Sequence, residues 1–245
     1  MYKRQALLAA FDVLLSAHTG QDDIVVGSPI ANRGARGTEE LIGCFANMIA
    51  TRAKLDGNPT FREVLGRVKE MILHAFDNGD LPFETVVDEL ATTRDASRPP
   101  LFQVVFVMQP AALAKRSPSG LALEAIDIDA QSSKFDYVMM LSEGPDGISG
   151  TCELATDLFD DATADRFAAH FVAIVERLAE EADQPISKLR RLPEAELKTV
   201  LGWGAKTATF PANGTLAERF EAQLAKTPDN AALRYEGTTL SYAEL

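Results

Sequence analysis

The 245-residue chain is 46% hydrophobic, enough to bury an ordinary core in one large domain or in one domain and part of another. Its formal net charge of -12 would repel a phosphate backbone, which argues against nucleic-acid binding. The two cysteines, Cys44 and Cys152, share no paired or metal-ligand spacing, so we expect reduced thiols and a cytoplasmic location rather than a disulfide framework.

Residues 6–18 predict an amphipathic helix of a globular domain. The residues at helical spacing are Leu7, Phe11, Leu14 and His18. Lys3 and Arg4 before an apolar stretch imitate a signal peptide, but Asp12 interrupts that stretch and no small-residue cleavage site follows.

The run Tyr-Lys-Arg-Gln resembles a translated transposon end, so we expect residues 1–5 to be a sequencing artefact and the natural chain to begin further upstream.

Two strands and two helices are predicted next. The strands are Ile24–Gly27 and Phe45–Ala53, and the polar loop between them is Ala31–Glu40. Thr60 and Glu63 form a capping box, which satisfies free N–H groups at a helix start, and Pro82 begins another helix, where its missing N–H costs nothing. The predicted inward-facing residues of the two helices are Phe61, Leu65, Val68 and Ile72, then Phe83, Val86, Val87 and Leu90.

The middle of the chain is rich in predicted strands. They are Phe102–Met108, Leu121–Asp129, Lys134–Ser142 and a half-buried strand over residues 148–154. The longest charge-free run, Pro99–Ala114, is shorter than the roughly 20 residues that a membrane helix needs. A long helix at Ala162–Glu180 follows. Its predicted buried residues are Phe167, Phe171, Ile174 and Leu178.

Residues 182–213 predict an interdomain linker, because prolines and glycines punctuate them around one short helix near Glu194–Leu201. Thr215 with Glu218 then caps a new helix. The predicted inward residues of that helix are Leu216, Phe220 and Leu224, and a hairpin at Ala231–Tyr242 is predicted to turn at Glu236–Gly237.

Ser241 and Glu244 resemble a further capping box at the very end of the chain. A helix of less than one turn cannot recover its nucleation cost. We therefore expect the C-terminus to be cut inside a fold, which makes the last unit incomplete.

Familiar catalytic and metal-binding patterns are absent from the sequence. It has no Gly-rich phosphate loop, no HExxH and no metal-spaced cluster. His18, His74 and His170 lie singly on or near predicted helices, where a structural or surface role is the commoner one. Ser28 follows a glycine but lacks the second glycine of a nucleophile elbow. The residues alone predict a soluble mixed α/β domain and a truncated second unit.

Four segments, in the correct order, resemble motifs of nonribosomal peptide synthetase condensation domains. They are Thr19–Arg33 (TGQDDxVVGxPxANR), Ile42–Asn47 with Arg52 ((I/V)GxFVNT…R), Asn78–Glu84 ((H/N)QDxPFE) and Arg94–Leu101 (RDxSRNPL). The departures are Ala46, Met48, Gly79 and Pro99, where the family has Val, Thr, Gln and Asn. Each motif alone is moderately specific, and four in order make a strong resemblance.

The end of the chain resembles a different domain. Leu240–Leu245 matches the first core motif of adenylation domains, L(T/S)YxEL, and Glu221–Leu233 is similar to the segment before it. Condensation followed by adenylation is the order of an elongation module, so the two resemblances support each other. They imply a condensation C-terminal lobe at residues 6–181, a linker at 182–213 and a truncated adenylation start at 214–245.

The resemblance implies an α/β fold, an α+β two-layer sandwich similar to one lobe of chloramphenicol acetyltransferase. In this family of multidomain enzymes of secondary metabolite biosynthesis, a tunnel between two lobes admits phosphopantetheine arms from two carrier proteins. The acceptor amine attacks the donor thioester, which forms an amide. The HHxxxDG motif that orients or deprotonates the amine belongs to the other lobe and is absent here, so we expect no amide formation by this chain alone. No metal, nucleic-acid or membrane partner is implied; the partners are carrier proteins and the other synthetase domains.

The matched residues have functional and structural interpretations. The tunnel-facing candidates are Gly43, Phe45, Asn47, Asp95 and Arg98, and the structural candidates are Pro82, Phe83 and Glu84. Gly43 and Phe45 either allow a pantetheine arm to approach or serve a bend and the core, and Asn47 either binds the arm's amides or ends a strand. Asp95 and Arg98 either gate the tunnel or form a local ion pair. The Pro-Phe-Glu run is most simply a helix start, whose acid the helix dipole favours.

Two alternatives to a condensation enzyme remain. One is a noncatalytic module that docks a carrier protein or partner synthetase, and HHxxxDG upstream in the same frame would argue against it. The other is a standalone acyltransferase that uses a coenzyme A thioester, against which the adenylation-like tail argues. Residues 110–120 are a candidate for the segment that bridges the two lobes of this family.

Overall fold

The computed structural model describes residues 2–34, 36–90, 98–109, 132–144, 147–189, 192–205 and 214–245. They form two compact units, Met1–Leu197 and Lys198–Leu245. The predicted strand at Leu121–Asp129 and the predicted bridging segment 110–120 lie outside the described residues. No helix among the described residues is both long enough and apolar enough to span a bilayer.

The first unit contains five helices and five strands within the described residues. The helices are α1 (Tyr2–Thr19), α2 (Phe61–Asp77), α3 (Phe83–Leu90), α4 (Asp161–Glu181) and α5 (Ile186–Leu189). The strands are β1 (Asp23–Ile30), β2 (Asn47–Lys54), β3 (Val104–Gln109), β4 (Tyr137–Gly144) and β5 (Gly147–Leu154), with a 3-10 turn at Thr38–Glu40. Helix α6 (Glu194–Gly204) then leads into the second unit, which holds α7 (Leu216–Lys226), β6 (Ala231–Tyr235) and β7 (Thr238–Ser241).

A mixed five-stranded sheet forms the centre of the first unit, in the order β2-β1-β3-β4-β5. The pairs β1–β3 and β3–β4 are parallel, whereas β1–β2 and β4–β5 are antiparallel. Gly27 of β1 is paired with Ala50 on one side and Val105 on the other, which fixes the register between the antiparallel edge and the parallel centre. The predicted α/β class is confirmed.

Helix α1 forms the middle of the main core, against the sheet and helices α2 and α4. Its buried residues are Gln5, Leu7, Leu8, Ala9, Ala10, Phe11, Asp12, Val13, Leu14, Leu15 and Ser16. A helix buried around most of its circumference needs apolar residues on every side. The predicted helix is therefore confirmed, but its predicted amphipathic character is wrong, and His18 lies at its exposed end.

The Phe11 ring joins the layers of this core. Its centroid lies 5.7 Å from that of Phe106 in β3, 5.5 Å from Tyr137 in β4 and 6.4 Å from Phe171 in α4. Such tilted and edge-on contacts are the arrangements that aromatic quadrupoles favour. One side chain of α1 thus contacts two parallel strands and α4.

The opposite face of the sheet carries a smaller apolar cluster around Phe102, Val105 and Val138. The Phe102 ring lies so close to Gly27 that a Cβ atom on Gly27 would come within 2.1 Å of it. A glycine at this position of β1 therefore makes room for the ring that covers the strand.

The predicted helix faces agree with the structure except at their edges. Helix α2 begins with the predicted capping box of Thr60 and Glu63, and it buries Val64 where Leu65 was expected, leaving Leu65 half-buried. Helix α4 buries the predicted Phe171 and Ile174. Leu90, predicted to face inward from α3, is 64% exposed, whereas Phe83 at the start of that helix packs against the Phe102 cluster.

Strand β5 is more exposed than its alternating sequence predicts. Ile148 is 44% exposed, and Cys152 and Leu154 are only half-buried. Helix α4 covers only part of this strand, while β4 beside it is largely buried. Alternation therefore indicates the two faces of β5 but not how completely one of them is covered.

Residues 182–189 pack into the first unit, although the predicted linker starts at residue 182. Ile186 and Leu189 of α5 are fully buried, and the Ile186 N–H donates to the carbonyl oxygen of Pro59 at 2.9 Å. Two apolar anchors in a four-residue helix hold this segment against the start of α2. The packed chain thus extends past residue 181.

The second unit contains the predicted helix and hairpin. Thr215 and Glu218 form both hydrogen bonds of the capping box of α7, and the Glu244 carboxylate accepts from the Ser241 N–H at 2.9 Å. The hairpin turns at Glu236 and Gly237, whose φ angles of 45° and 83° are those of a type I′ turn. Leu216, the first residue of α7, was predicted to face inward but is 88% exposed.

Asp12 lies in the middle of α1 with only 1% of its surface exposed, and its Oδ2 atom has no hydrogen-bond partner. Burial raises the pKa of this carboxyl group well above its ordinary value. The pKa of Asp12 is therefore higher in the folded than in the unfolded protein. The free energy of unfolding is highest below the unfolded-state pKa of about 4, where Asp12 is neutral in both states, and it falls as the pH rises through the folded-state pKa.

We expect Asp12→Asn to remove this pH dependence, because an amide resembles the neutral acid but does not ionise. At pH 7 the variant should be more stable than the wild type by about 1–3 kcal/mol, and the difference should vanish near pH 4. Urea unfolding at several pH values measures this. Asp157→Asn, in an exposed turn, is the control, and parallel pH profiles for wild type and Asp12→Asn would contradict the expectation.

Candidate functional site

Two of the motif segments, 42–47 and 78–84, meet through the side chain of Asn47. Its Nδ2 atom donates to the carbonyl oxygens of Gly79 and Leu81, each at 2.8 Å. Its Oδ1 atom accepts from the N–H of Phe83 at 3.1 Å. One amide side chain at the start of β2 therefore holds the whole turn that precedes α3.

The local sequence explains why α3 needs this help. A helix start has free N–H groups that usually bond to a Ser, Thr, Asp or Asn at the N-cap. Pro82 precedes the first helical residue, Phe83, and a proline side chain offers no acceptor. Asn47 supplies the missing acceptor from a distant part of the chain.

These contacts bear on the predicted role of Asn47 toward a pantetheine arm. An Asn amide has two N–H donors and one oxygen with two lone pairs. Both donors and one lone pair are already used within the protein. In this arrangement Asn47 positions the backbone around it and retains a single acceptor site.

The predicted structural run behaves as a helix start. The Thr85 N–H donates to the Pro82 carbonyl at 3.0 Å, and Glu84 is exposed in the first turn of α3. The half-buried Phe83 ring lies 5.2 Å from the Phe102 ring, so α3 is anchored to the second face of the sheet. A Cβ atom on Gly79 would come 2.7 Å from Ile30 Cδ1, so the glutamine of the resembled motif would require the end of the Ile30 side chain to shift.

Arg33 organises the loop that carries Gly43 and Phe45. Its guanidinium group donates to the carbonyl oxygens of Thr38, of Leu41 at 2.9 Å and of Gly43 at 2.8 Å. It also lies over the Phe45 ring, 4.4 Å from the centroid. Only the forked, planar donor array of arginine can satisfy several carbonyls while it stacks on an aromatic ring.

The loop held by Arg33 presents its apolar tip to solvent. Leu41 is 55% exposed and Ile42 is fully exposed, while Phe45 is half-buried beneath the guanidinium group. Gly43 is exposed, and an added Cβ would approach the Phe45 ring at 3.3 Å. In the sequence, Arg33 is only the last residue of the first motif segment, because its partners are backbone carbonyls that leave no pattern there.

The fourth motif segment is described only in part. Arg98 is exposed. Asp95 lies outside the described residues, so the predicted ion pair between the two side chains stays a prediction. Ser28, already a weak candidate, donates to the carbonyl oxygen of Phe106 at 2.7 Å and so bridges β1 to β3.

Two adjoining open cavities lie at the carboxyl ends of β1 and β3, both bordered by Arg4 and Phe76. The first has a volume of about 950 Å³ and reaches Met108 and Glu143. The second, of about 750 Å³, is bordered by residues of two motif segments, which are Asn32, Arg33 and Asp80. The carboxyl ends of parallel strands are common ligand-binding locations in α/β sheets.

Among the described residues, no group of three or more His, Cys, Asp or Glu side chains is arranged to bind a metal ion. Both cysteines are free, as predicted, with Cys44 exposed and Cys152 half-buried. The arrangement therefore offers backbone groups, an arginine and an open cleft rather than a metal centre.

The fold and these motif contacts define a condensation-type α/β domain. The condensation domain family model matches residues 3–201, and this chain belongs to that family. Surfactin synthase subunit 1 of Bacillus subtilis (strain 168) and gramicidin S synthase 2 of Aneurinibacillus migulanus are each 38% identical to it over 240 residues. Each alignment covers 98% of this chain, but the chain spans only 7% and 5% of those relatives.

Solved structures resemble from about three quarters to nearly all of the chain. The X-domain in its complex with OxyB from teicoplanin biosynthesis is 30% identical with a TM-score of 0.67, covering 78% of this chain and 43% of that one. A four-domain nonribosomal peptide synthetase bound to AMP and glycine gives a TM-score of 0.78 at 23% identity. That match covers 98% of this chain and 19% of the synthetase, and at this identity it shows the fold alone.

We expect Asn47→Ala to destabilise the first unit by about 2 kcal/mol, because it leaves two carbonyls and one helix N–H without their partner. Asn47→Asp should be no better, since its carboxylate keeps the acceptor for Phe83 but faces the carbonyls of Gly79 and Leu81. Urea unfolding and hydrogen exchange of the Phe83 amide measure both effects.

Asn78→Ala is the matched control for this prediction. Asn78 lies in the same turn, but its side chain makes a single exposed hydrogen bond to the carbonyl of His74 at 2.8 Å. Its loss should cost about 0.5–1 kcal/mol and leave Phe83 protected. Equal losses for Asn47→Ala and Asn78→Ala would contradict the role given to Asn47.

Proposed function

We propose that this chain is the C-terminal half of a condensation domain, followed by a linker and the first residues of an adenylation domain, in an elongation module of a nonribosomal peptide synthetase. The observation that carries the proposal is the family match over residues 3–201, together with synthetase relatives that align over 98% of the chain. The match to a four-domain synthetase, which extends over both units, supports the second part.

In the proposed reaction, the amine of an acceptor on one carrier arm attacks the thioester carbonyl of a donor on another. A C–N bond forms, the C–S bond breaks, and the proton lost by the amine ends on the released thiol. The proton-handling HHxxxDG sequence of the family does not occur in this chain. General base assistance is worth about 10²–10⁴ in rate, so this chain supplies one wall of the site without its proton acceptor.

The carrier arms are the proposed ligands of the cleft beside Arg33. A phosphopantetheine arm is flexible, carries amides and one phosphate diester, and reaches the site from a partner protein. The 750 Å³ cavity has the size of an ordinary ligand site, and Asn32, Arg33 and Asp80 give it polar groups of several kinds. Gly43 and Phe45 lie on the loop held by the same arginine and remain candidates for contact with the arm.

A noncatalytic docking role is the second candidate function. The X-domain, 30% identical to this chain, is described in a complex with OxyB, so a protein of this fold can form a complex with a separate enzyme. The two candidates differ in one observable, which is the formation of an amide between carrier-bound substrates.

We expect the intact synthetase containing this segment to join a loaded donor carrier to a loaded acceptor carrier, with the product detected on the acceptor arm by mass spectrometry. This chain alone should give no product above buffer with the same carriers, because it lacks the family's histidine pair. Steady amide formation by the chain alone would overturn the assignment of one incomplete wall. Carrier binding by the intact protein without any amide would favour the docking role.

A further inference from the structure

Two of the three histidines lie in a hydrogen-bonded row with a glutamate, far apart in sequence. His18 at the end of α1 places its Nε2 atom 3.0 Å from Nδ1 of His170 in α4. The other nitrogen of His170, Nε2, bonds to the carboxylate of Glu196 in the first turn of α6. His170 is only 11% exposed and Glu196 30% exposed, so the row is shielded at its Glu196 end. The sequence treats these histidines as single, and the fold brings them together.

Stacking fixes the two rings in this geometry. The His18 ring lies 4.2 Å from the Phe167 ring at an interplanar angle of 20° and 5.1 Å from the His170 ring. Phe167 is itself packed beside Tyr137, with 5.3 Å between ring centroids. The row is therefore attached to the main core on one side and to α6 on the other.

The Glu196 carboxylate restricts which histidine nitrogens can carry protons. A carboxylate accepts only, so His170 must donate from Nε2. A neutral His170 then has a bare Nδ1, which accepts from the Nε2–H of His18. With both rings neutral, the row is therefore complete from His18 to Glu196.

The row tolerates one additional proton but not two. If His170 becomes an imidazolium, its Nδ1–H donates to His18, which switches tautomer and accepts, while the negative Glu196 offsets the charge. If both rings are protonated, His18 Nε2–H and His170 Nδ1–H point at each other across 3.0 Å. Two donors and two positive charges then meet, and the bond between the rings is lost.

The charged neighbours agree with this assignment. The pKa of His18 is lowered, first by desolvation against the packed rings and then by the charge of His170; Glu196 raises it and Arg166 lowers it further. Arg166 and His170 lie in α4, and Glu196 lies in α6. Protonation of the second ring is therefore opposed by the first.

We propose that the row of His18, His170 and Glu196 is a pH-sensitive latch. With at most one extra proton on its two imidazoles, the row holds the first turn of α6 against α4, and with two extra protons it releases that turn. Helix α6 continues into the second unit, so the latch controls the segment that joins the two units. The proposal does not depend on the amide-forming function, and its test needs no substrate.

Hydrogen exchange of the Leu197 amide, which bonds to the carbonyl of Pro193 at 2.9 Å, reports on the first turn of α6. The comparison variant is His18→Gln, whose side-chain amide can donate to His170 but cannot be protonated. At pH 8 the wild type and the variant should exchange alike. At pH 5.5 the wild type should exchange about tenfold faster than the variant, the effect of one pKa unit of coupling.

The imidazole titrations, followed by NMR, provide a second measurement. His18 and His170 should titrate in two coupled steps, and His18→Gln should change the titration of His170. His74 lies at the end of α2, outside the row, so His74→Gln should leave Leu197 exchange unchanged. Independent single-step titration of His18 and His170, or equal exchange of Leu197 in wild type and His18→Gln at pH 5.5, would overturn the latch.

Discussion

The burial of α1 is the constraint on which the rest of the first unit depends. Its middle turns are enclosed by the sheet, α2 and α4, and the Phe11 ring contacts aromatic rings from β3, β4 and α4. Because this helix is fixed along its length, side chains at both of its ends are held in position to contact neighbouring elements. Arg4 near one end donates to the carbonyl oxygen of Met108 at the end of β3, and His18 at the other end reaches α4.

Around the candidate site, polar side chains complete loops that cannot satisfy their own backbone groups. Asn47 serves a helix start that a proline leaves uncapped, and Arg33 serves the carbonyls of a loop whose tip is apolar. In both cases the geometry of the donor matters more than its charge, since an amide and a guanidinium each engage several backbone groups at once. Arg33 and Asn47, both in family motifs, therefore stabilise the backbone of loops beside the cleft.

Local chemistry predicted much of the fold, and non-local contacts account for what it missed. Three capping boxes and the Glu236–Gly237 turn were predicted because each depends on residues within four positions of one another. The faces of α3 and α7 were only partly right, since periodicity cannot tell which turns a neighbour covers, and Leu90 and Leu216 lie exposed. The bonds of Asn47 and the pairing of His18 with His170 join segments that are far apart in sequence and meet only in the folded protein. Arg33 bonds to carbonyls in its own loop, and backbone acceptors leave no pattern in the sequence.

The parallel pairing of β1 with β3 also sets an order of assembly. Ser28 in β1 bonds to Phe106 in β3 across 78 positions of sequence, whereas β6 and β7 meet through a two-residue turn. A hairpin of that kind closes in about 1–10 μs. At about 5–20 residues per second of ribosomal synthesis, β1 and the apolar α1 wait on the order of several seconds for β3 to emerge. During that interval the apolar residues of α1 that later fill the core have no complete sheet to pack against, and chaperone binding to them would protect the nascent chain before the cleft is complete.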